Sequence, residues 1–445
     1  MELHLIPVEA EEGDRYILYR PLIRLAFIGN RSMAKLALHY GNSPPSAVEL
    51  QKQEALQFLD RIGFFVPDTQ PTKSQPTFSN AVLLLTNRCQ LRCSYCYAAA
   101  GESLPRKLSI DTGKIVIDKV HDQALENKQL EFRIDFHGGG EPTLEWETLQ
   151  ELVQYARSKA IRSKISVTSN TIWSETQASW LMDNLDFISV SMDGSPSTQD
   201  SQRPLRDHKP SSSIVMHNLQ RLDERGFKYG IRMTTCAPWT QLKDDVQFIV
   251  EHTRCRSMQV EPAFNTQRGE HCSPDQEQGK AFIQAFLEAY EVAKATQASL
   301  TYSGARPKTT TSTFCSAPFN ALVVNPEDEI VACYEIFNQQ HPFAEMATFG
   351  KIVSGDVSLD QASRDSFHRL LGERFATCRD CFCHWNCAGD CFARAFAEGP
   401  NGHLVKSQRC AINREITKYL LLDLIRENSG VWKGSLSENE VSLYG

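Results

Sequence analysis

The sequence lacks the segments that would carry a chain into or across a membrane. No apolar run approaches the roughly 18 residues that a transmembrane helix needs. Residues 1–7 lead directly into acidic residues, whereas a secretory signal places positive charge ahead of an apolar stretch. We therefore expect a soluble, cytoplasmic protein with no membrane partner.

Charge of one sign is nowhere concentrated. The sequence has no long basic run that could follow a nucleic-acid backbone, and it has no acidic tail. The net charge is −7 over 445 residues, and 41% of the residues are hydrophobic. This composition argues against a nucleic-acid partner and predicts two or three globular domains.

Cysteine is absent from the first 88 residues and clustered afterwards. Three of the 14 cysteines fall within residues 89–96, and eight lie beyond residue 310. Disulfide scaffolds are typical of short, exported chains. In a long chain without an export signal, clustered cysteines indicate metal ligation instead.

Hydrophobic periodicity divides the chain into three predicted domains. Residues 1–75 contain two strand-like runs and then helical patterns, which suggests a small N-terminal winged-helix-like domain. Residues 76–306 alternate strands with helices. Residues 307–445 lose that alternation while holding most of the cysteines, as a region shaped by metal would.

The central region predicts an α/β architecture. Repeated strand–helix units build a parallel sheet with helices outside it. Six units are too few for a closed eight-stranded barrel, so we predict a partial (β/α)6 TIM-type barrel. The six predicted strands lie at 81–85, 132–137, 165–169, 187–192, 229–234 and 258–262.

The first cysteine cluster directly follows the first of these strands. Cys89, Cys93 and Cys96 have the spacing Cys-x3-Cys-x2-Cys. Three thiolates can hold three irons of a four-iron cube and leave the fourth iron open to a small molecule. A structural zinc site with a fourth ligand elsewhere is the alternative.

With the aromatic Tyr95 before its third cysteine, this spacing resembles that of the radical SAM superfamily. The resemblance implies a [4Fe-4S] cluster whose open iron binds S-adenosylmethionine (SAM). It also implies a 5′-deoxyadenosyl radical that removes a hydrogen atom from a substrate. The protein would then be an oxidoreductase whose cofactors carry the difficult chemistry.

Residues at later strand ends extend the resemblance. Gly139, Gly140 and Glu141 lie in a run similar to the family's GGEP motif, whose backbone and carboxylate would bind the SAM ammonium. Without the resemblance, the glycine run would be interpreted as a turn, the polar residues at strand ends as caps, and the arginine as a solvated surface charge. By resemblance, contacts to the SAM ribose or carboxylate would come from Ser169, Asn170, Ser191 and Arg203.

The later cysteines resemble the seven-cysteine SPASM extension of the same family. That resemblance implies a C-terminal iron–sulfur SPASM domain with two auxiliary [4Fe-4S] clusters, and so three clusters in all. Asp328 stands where the motif usually has glycine, and aspartate tolerates the left-handed turn that glycine would supply. The nearer cluster would be held by Cys315, Cys333 and Cys391, and the farther one by Cys378, Cys381, Cys387 and Cys410.

Two points about these cysteines stay open. The fourth ligand of the nearer cluster could be an open site, a substrate group or another cysteine, of which Cys383 is the closest spare. A zinc ribbon is the alternative for the whole region.

Families with this architecture mostly modify peptides or proteins. The resemblance therefore predicts a maturase that installs a carbon–carbon or thioether crosslink in a ribosomally synthesised (RiPP) precursor peptide. The N-terminal domain would bind the leader of that peptide as an added strand at an exposed sheet edge. A flavodoxin or ferredoxin would serve as electron donor.

Three alternatives compete with the crosslinking maturase. One is an anaerobic sulfatase-maturating (formylglycine-generating) enzyme. Another is a peptide epimerase, for which Cys236 is a conceivable hydrogen donor. The last is an iron–sulfur electron-transfer or binding protein without catalysis.

Overall fold

A computed structural model describes residues 1–8, 14–41, 43–71, 77–264, 268, 274–395 and 404–435. Within those ranges, no helix is both long enough and apolar enough to cross a membrane. The strands are β1 His4–Val8, β2 Arg15–Arg20, β3 Leu25–Asn30, β4 Asn80–Leu84, β5 Glu131–His137, β6 Arg162–Ser169, β7 Phe187–Ser191, β8 Tyr229–Cys236, β9 Ser257–Ala263, β10 Ser299–Thr301, β11 Ala321–Val324, β12 Glu329–Val331, β13 Thr348–Val353, β14 Asp356–Leu359 and β15 Val431–Lys433.

Helices connect and cover these strands. The N-terminal region has α1 Arg31–Tyr40, α2 Ala47–Lys52 and α3 Glu54–Arg61. The remaining helices are α4 Ile110–Glu126, α5 Trp146–Arg157, α6 Glu175–Asn184, α7 Pro196–Gln202, α8 Ser212–Arg225, α9 Leu242–His252, α10 Gln276–Ala295, α11 Ala317–Asn320, α12 Ala344–Ala347, α13 Gln361–Ala376, α14 His384–Cys387, α15 Phe392–Ala395 and α16 Gln408–Glu427.

The N-terminal region is a small antiparallel sheet covered by helices on both faces. Alternating residues of β2 and β3 point to opposite sides, as the pleat requires. Leu18 and Phe27 share one hydrophobic cluster with residues of α3, whereas Tyr19 and Ala26 share another with Leu421 of α16. Strands and then helices come in the order that the sequence predicts. The likeness to a winged-helix unit stays a prediction.

The last strand of the chain closes one edge of this small sheet. The strand order is β1-β2-β3-β15, so β15 pairs antiparallel with β3. Trp432 of β15 is 5% exposed and packs among Ile6, Ile17 and Leu421. The sequence analysis predicted neither β15 nor β1.

The larger sheet has eleven strands in the order β10-β9-β8-β7-β6-β5-β4-β11-β12-β13-β14. The run from β10 to β11 is parallel, and β12, β13 and β14 continue it antiparallel. All six strands predicted for the central region are present as β4 to β9. This confirms a mixed α/β fold with a parallel sheet.

Residues of β5 show how this sheet separates its two faces. Phe132, Ile134 and Phe136 are fully buried in the main hydrophobic cluster, while the intervening residues are half-buried. One of these half-buried residues is His137, whose Nε2 lies 3.2 Å from Nη1 of Arg232 in β8. Because β5 and β8 are three strand spacings apart, about 14 Å in a flat sheet, this contact indicates a sheet curved toward its polar inner face.

The predicted division at 75/76 and 306/307 stays a prediction. Two pairings nevertheless cross those limits. β11 of the third region pairs with β4 of the second, and β15 of the third pairs with β3 of the first. The regions are therefore joined by shared sheets.

Candidate functional site

The loop that carries the first three cysteines lies at the carboxyl end of β4. It begins two residues after Thr86. Its backbone is fixed by the segment that follows α7. Arg92 donates its N–H to the carbonyl of Pro204 at 2.8 Å, and Ser94 donates to the carbonyl of Gln202 at 2.9 Å. The loop is thus held on the same edge of the sheet as the other strand ends.

The thiols of this loop lie near one another, with Cys93 buried and Cys89 and Cys96 half-buried. Burial raises the pKa of Cys89 to about 12, and the neighbouring Cys93 and Cys96 thiols raise it further. Burial likewise raises the pKa of Cys93 to about 11. Arg203 and Arg268 oppose the rise at Cys93 without cancelling it, and a bound metal would hold such thiols as thiolates.

Three thiolates on one loop suit three irons of a four-iron cube. The Cys89 sulfur also accepts the N–H of Leu91 at 3.4 Å, an interaction typical of cluster ligands.

The glycine run at the end of β5 packs directly on the cysteine loop. A Cβ on Gly140 would lie 2.1 Å from the Arg88 carbonyl oxygen, so only glycine permits this approach. The next residue, Glu141, donates its N–H to the same oxygen at 2.8 Å. Gly139 has φ +90°, and a Cβ there would overlap Phe337.

The side chain of Glu141 is 2% exposed and lies at the centre of a hydrogen-bond network. Oε1 accepts from the Thr143 hydroxyl at 2.7 Å and the Ser169 hydroxyl at 2.6 Å, and Oε2 accepts from the Asn170 N–H at 2.8 Å. Burial raises the pKa of Glu141, and these donors oppose the rise. The carboxylate therefore ties the end of β5 to the end of β6.

The end of β6 reaches back to the cluster loop. The Ser169 hydroxyl, which donates to Glu141, also accepts from the indole N–H of Trp173 at 2.9 Å. Asn170 Nδ2 lies 3.7 Å from the Cys89 sulfur. Of these two predicted SAM contacts, Asn170 faces the cluster loop and Ser169 is engaged within the protein.

Tyr95 and Arg203 meet around a carboxylate that the sequence analysis did not assign. The Tyr95 hydroxyl donates to Asp193 Oδ2 at 2.5 Å and accepts from Arg203 Nη1 at 2.6 Å. Arg203 Nη1 also lies 3.7 Å from Asp193 Oδ1. Within the part of the chain that the structure describes, the buried Nε of Arg203 has no hydrogen-bond partner, which leaves a donor for a ligand. The sequence signal for Asp193 was its position at the end of the fourth predicted strand.

Ser191 is the remaining predicted SAM contact. It is the last residue of β7, and its register partner on β8 is Arg232. It is half-buried on the polar inner face of the sheet.

The structure also brings together the cysteines predicted for the nearer auxiliary cluster. Burial raises the pKa of Cys333, and the neighbouring Glu335, Cys391 and Cys315 raise it further. The Cys315 sulfur accepts the backbone N–H of the residue two positions later at 3.4 Å, and the Cys333 sulfur does the same at 3.5 Å. The Cys89 sulfur has the same local geometry.

Tyr97 connects this set to the first cluster loop. It directly follows Cys96 and is buried between the two groups of cysteines. Burial raises its pKa, as do the neighbouring Glu335, Cys96 and Cys333. No role was predicted for Tyr97 from the sequence.

The four cysteines predicted for the farther cluster also lie near one another. Cys410 is close to Cys378, and Cys387 is close to Cys410. Cys383 lies beside them, and a hydrogen bond from its thiol lowers the pKa of Cys381 to about 6. The Cys383 sulfur also points to the carbonyl of Asn413 at 3.9 Å.

Asp328 confirms the expectation of a left-handed turn. Its φ is +62°, and its carboxylate accepts a hydrogen bond from the Thr112 hydroxyl at 2.7 Å. Aspartate thus takes the backbone conformation for which glycine is usual.

Known proteins match this chain over the region that contains the site. Residues 83–240 match the family model described as the radical SAM superfamily. Fe-coproporphyrin III synthase of Methanosarcina barkeri is 34% identical over 152 residues, which make up 34% of this chain and 35% of that protein. The sporulation killing factor maturation protein SkfB of Bacillus subtilis is 30% identical over 158 residues, or 35% of each chain. These matches span about a third of the curated relatives.

Solved structures share the fold. Native anSMEcpe with bound AdoMet superposes with a TM-score of 0.60 at 17% identity, covering 79% of this chain and 99% of that one. SuiB of Streptococcus suis bound to the precursor peptide SuiA superposes with a TM-score of 0.51 at 12% identity, covering 88% and 94%. The similarity to the radical SAM superfamily therefore lies in residues 83–240, and the likeness to the solved structures is one of fold.

Proposed function

We propose that this protein is a radical SAM maturase that installs a carbon–carbon or thioether crosslink in a ribosomally made precursor peptide. The observation that carries the proposal is the contact between the glycine run and the loop that carries the first three thiols. That contact places Gly140 and Glu141 on the backbone of Arg88, next to the cysteines that would hold a SAM-binding cluster.

Cys89, Cys93 and Cys96 would hold the [4Fe-4S] cluster that binds SAM. When bound, the cofactors supply a 5′-deoxyadenosyl radical that removes one hydrogen atom from the substrate and an auxiliary acceptor for the second electron of the oxidation. The crosslinked product has then lost two hydrogen atoms, one to 5′-deoxyadenosine and one as a proton and an electron.

The residues around the thiols position the cofactor. Gly139 and Gly140 let the backbone approach a ligand closely, and Glu141 holds the loop against β6. Asn170 orients the Cys89 sulfur. Arg203, fixed by Tyr95 and Asp193, presents a spare N–H to an anionic group such as a carboxylate.

The later cysteines would hold two auxiliary clusters in a SPASM domain. The grouping of the two predicted sets supports this assignment, and so does the location of Tyr97 between the first loop and Cys333. Auxiliary electron acceptors suit a net oxidation, which favours crosslinking over a redox-neutral change. A flavodoxin or ferredoxin would deliver the electrons.

A peptide substrate is supported by the N-terminal sheet and by two of the similar proteins. SkfB is named as a maturation protein, and SuiB is seen with a precursor peptide. Among the described strands, β1 pairs only with β2 and so offers its outer edge to an added strand. The β3 edge is covered over residues 25–27 by β15.

Epimerisation is the second candidate because of the position of Cys236. It ends β8 beside a cavity of about 390 Å³ that is also lined by Gln202 and Trp239. Burial raises the pKa of Cys236 to about 12, which keeps a thiol hydrogen in place for donation to a substrate radical. A formylglycine-generating sulfatase maturase is the other enzymatic alternative.

Anaerobic incubation of the cluster-loaded protein with SAM and dithionite tests the radical step. We expect 5′-deoxyadenosine from the wild type and from Cys255→Ala, which removes a buried thiol that is not a predicted ligand of any of the three clusters. We expect none from Cys93→Ala. Absence of 5′-deoxyadenosine from the wild type, with or without peptide, would refute the proposed function.

Mass spectrometry of a precursor peptide encoded beside the gene, after co-expression, identifies the product. A crosslink removes two hydrogen atoms. An epimer keeps its mass in light water and gains deuterium in heavy water. If the product is an epimer, Cys236→Ala should abolish it and the crosslinking assignment is wrong.

A further inference from the structure

One asparagine side chain donates a hydrogen bond to a sulfur in the group of cysteines predicted for the farther cluster. Asn413 lies in α16, and its Nδ2 is 3.3 Å from the sulfur of Cys387. The residue is 1% exposed, so water does not compete for this contact. Cys410, which belongs to the same predicted set and lies near Cys387, precedes Asn413 by three residues in α16. Residues three apart share one face of a helix, so α16 turns both side chains toward the same thiols.

The amide of Asn413 is held in this orientation from its other end. Its Oδ1 accepts a hydrogen bond from the hydroxyl of Tyr302 at 2.8 Å. Tyr302 directly follows β10, the edge strand of the larger sheet, and is fully buried. A Cβ on Gly304 would lie 2.1 Å from Asn413 Oδ1, so glycine there leaves room for the amide. Residues at the end of the parallel sheet therefore fix the hydrogen bond to Cys387.

The orientation of this amide suits a sulfur that binds iron. A cysteine that binds metal is a thiolate, which can only accept hydrogen bonds. An amide oxygen has no hydrogen to donate, so the NH₂ group must face the thiolate and the oxygen must face another donor. Asn413 has this arrangement, with Nδ2 toward Cys387 and Oδ1 toward the Tyr302 hydroxyl. The residues present thus fit a cluster ligand at Cys387.

Charged neighbours of Cys387 largely balance one another. Asp390 and Arg306 lie near its sulfur and carry opposite charges. Asp390 is also paired with Arg409, whose Nε lies 2.9 Å from Oδ2, and both side chains are buried. The amide therefore acts on a sulfur whose charged surroundings are close to neutral.

We propose that Asn413 is a positioning residue that raises the reduction potential of the farther auxiliary cluster. The electron that reduces an iron–sulfur cluster adds negative charge that its sulfur ligands share. An N–H directed at one of these sulfurs stabilises the reduced state more than the oxidised state, and the potential rises. Asn413 acts through the sulfur of Cys387 and is not itself a predicted ligand.

This inference rests on the proposed function and deepens it. In that function, the second electron of the substrate oxidation passes to an auxiliary cluster. The donor on Cys387 makes the farther cluster easier to reduce than it would be without Asn413, and so favours the net oxidation. The inference adds which side chain sets this property and through which sulfur it acts.

An anaerobic redox titration of the cluster-loaded protein, with dithionite as reductant and electron paramagnetic resonance as readout, tests the inference. Asn413→Leu removes the donor at similar volume, and Tyr302→Phe removes the hydroxyl that orients it. Cys381→Ser identifies the transition of the farther cluster, because it removes a predicted ligand of that cluster. Asn428→Leu is the matched control, since Asn428 caps the other end of α16 and donates to the Leu424 carbonyl.

We expect Asn413→Leu to shift the transition of the farther cluster to a more negative potential. Tyr302→Phe should give a smaller shift in the same direction, because the amide remains but loses the hydroxyl that polarises and holds it. The transitions of the other clusters should not move, and Asn428→Leu should match the wild type throughout. Iron content and circular dichroism report whether each variant is loaded and folded. A merely structural role for Asn413 would lower stability or iron content and leave the potential unchanged.

A wild-type potential of the farther cluster in loaded Asn413→Leu would overturn the inference. A shift confined to a transition that survives in Cys381→Ser would overturn it too. If Asn413→Leu does not load iron, Tyr302→Phe decides, and an unchanged potential in that variant counts against the inference. The titration requires no substrate and no turnover. Failure of the proposed radical chemistry would appear instead as missing 5′-deoxyadenosine from the wild type.

Discussion

At the scale of single residues, the Glu141 carboxylate joins the end of β5 to the end of β6. Four protein donors converge on its two oxygens. In Glu141→Gln, the amide NH₂ must face at least one of these donors. We expect the variant to lose about 1–3 kcal/mol of stability, the cost of an unsatisfied buried polar group, and to bind SAM more weakly.

Thermal unfolding and anaerobic SAM dialysis measure these two effects. Glu147→Gln in the exposed first turn of α5 is the matched control and should leave both unchanged. Equal unfolding temperatures and SAM affinities for the two variants would contradict a structural role for the Glu141 charge.

Asp328 permits a second prediction at this scale. Its φ of +62° costs most L-residues about 1–2 kcal/mol. Asp328→Ala should therefore lower the unfolding temperature, because alanine also loses the bond from Thr112. Asp328→Gly should recover the backbone part of this loss. A glycine variant less stable than the alanine variant would show that the left-handed turn is not the source of the effect.

The sequence was informative about residues wherever local spacing carries the chemistry. Cys89, Cys93 and Cys96 are within one loop, and Gly139–Glu141 directly follow a strand. The contacts of Asp193 with Tyr95 and of His137 with Arg232 were not predicted. In each pair the two residues are far apart in sequence, and only the fold brings them together.

At the scale of elements, the six central strands were predictable because each is a compact apolar run with a helix after it. The helical pattern of the N-terminal region is interrupted at Gln53, whose backbone is extended, so that α2 and α3 are separate helices. β15 has three residues and a polar surrounding sequence, so only its pairing with β3 makes it a strand.

The burial of β15 gives a prediction for the N-terminal sheet. Replacing Trp432 by alanine removes a buried indole, and we expect a loss of about 3–5 kcal/mol from this part of the molecule. Hydrogen exchange should then accelerate at the amides of β3, with little change in β4 to β9. Lys433→Ala, an exposed neighbour on the same strand, is the control. If the amides of β3 exchange at the same rate in both variants, β15 does not stabilise the sheet.

At the scale of the whole molecule, the ends of the chain are joined through sheets and clusters. β15 completes the N-terminal sheet, and β11 extends the central one beside β4. Glu2, ahead of β1, accepts a hydrogen bond from the indole of Trp385 at 2.7 Å, within the loop of later cysteines. Periodicity along the sequence cannot show such connections, because it describes each region separately.

Iron content tests how the later cysteines are shared among clusters. Three four-iron cubes correspond to about twelve irons per chain. Cys381→Ser should lose about four of them, because it removes a predicted ligand of the farther cluster. Cys383→Ser should keep all of them, because its buried thiol is directed at the Asn413 carbonyl. Cys255→Ser, a buried thiol far from both groups in sequence, controls for general damage. Loss of iron from Cys383→Ser equal to that from Cys381→Ser would make Cys383 a ligand, and stoichiometric zinc in place of iron would refute the cluster assignment altogether.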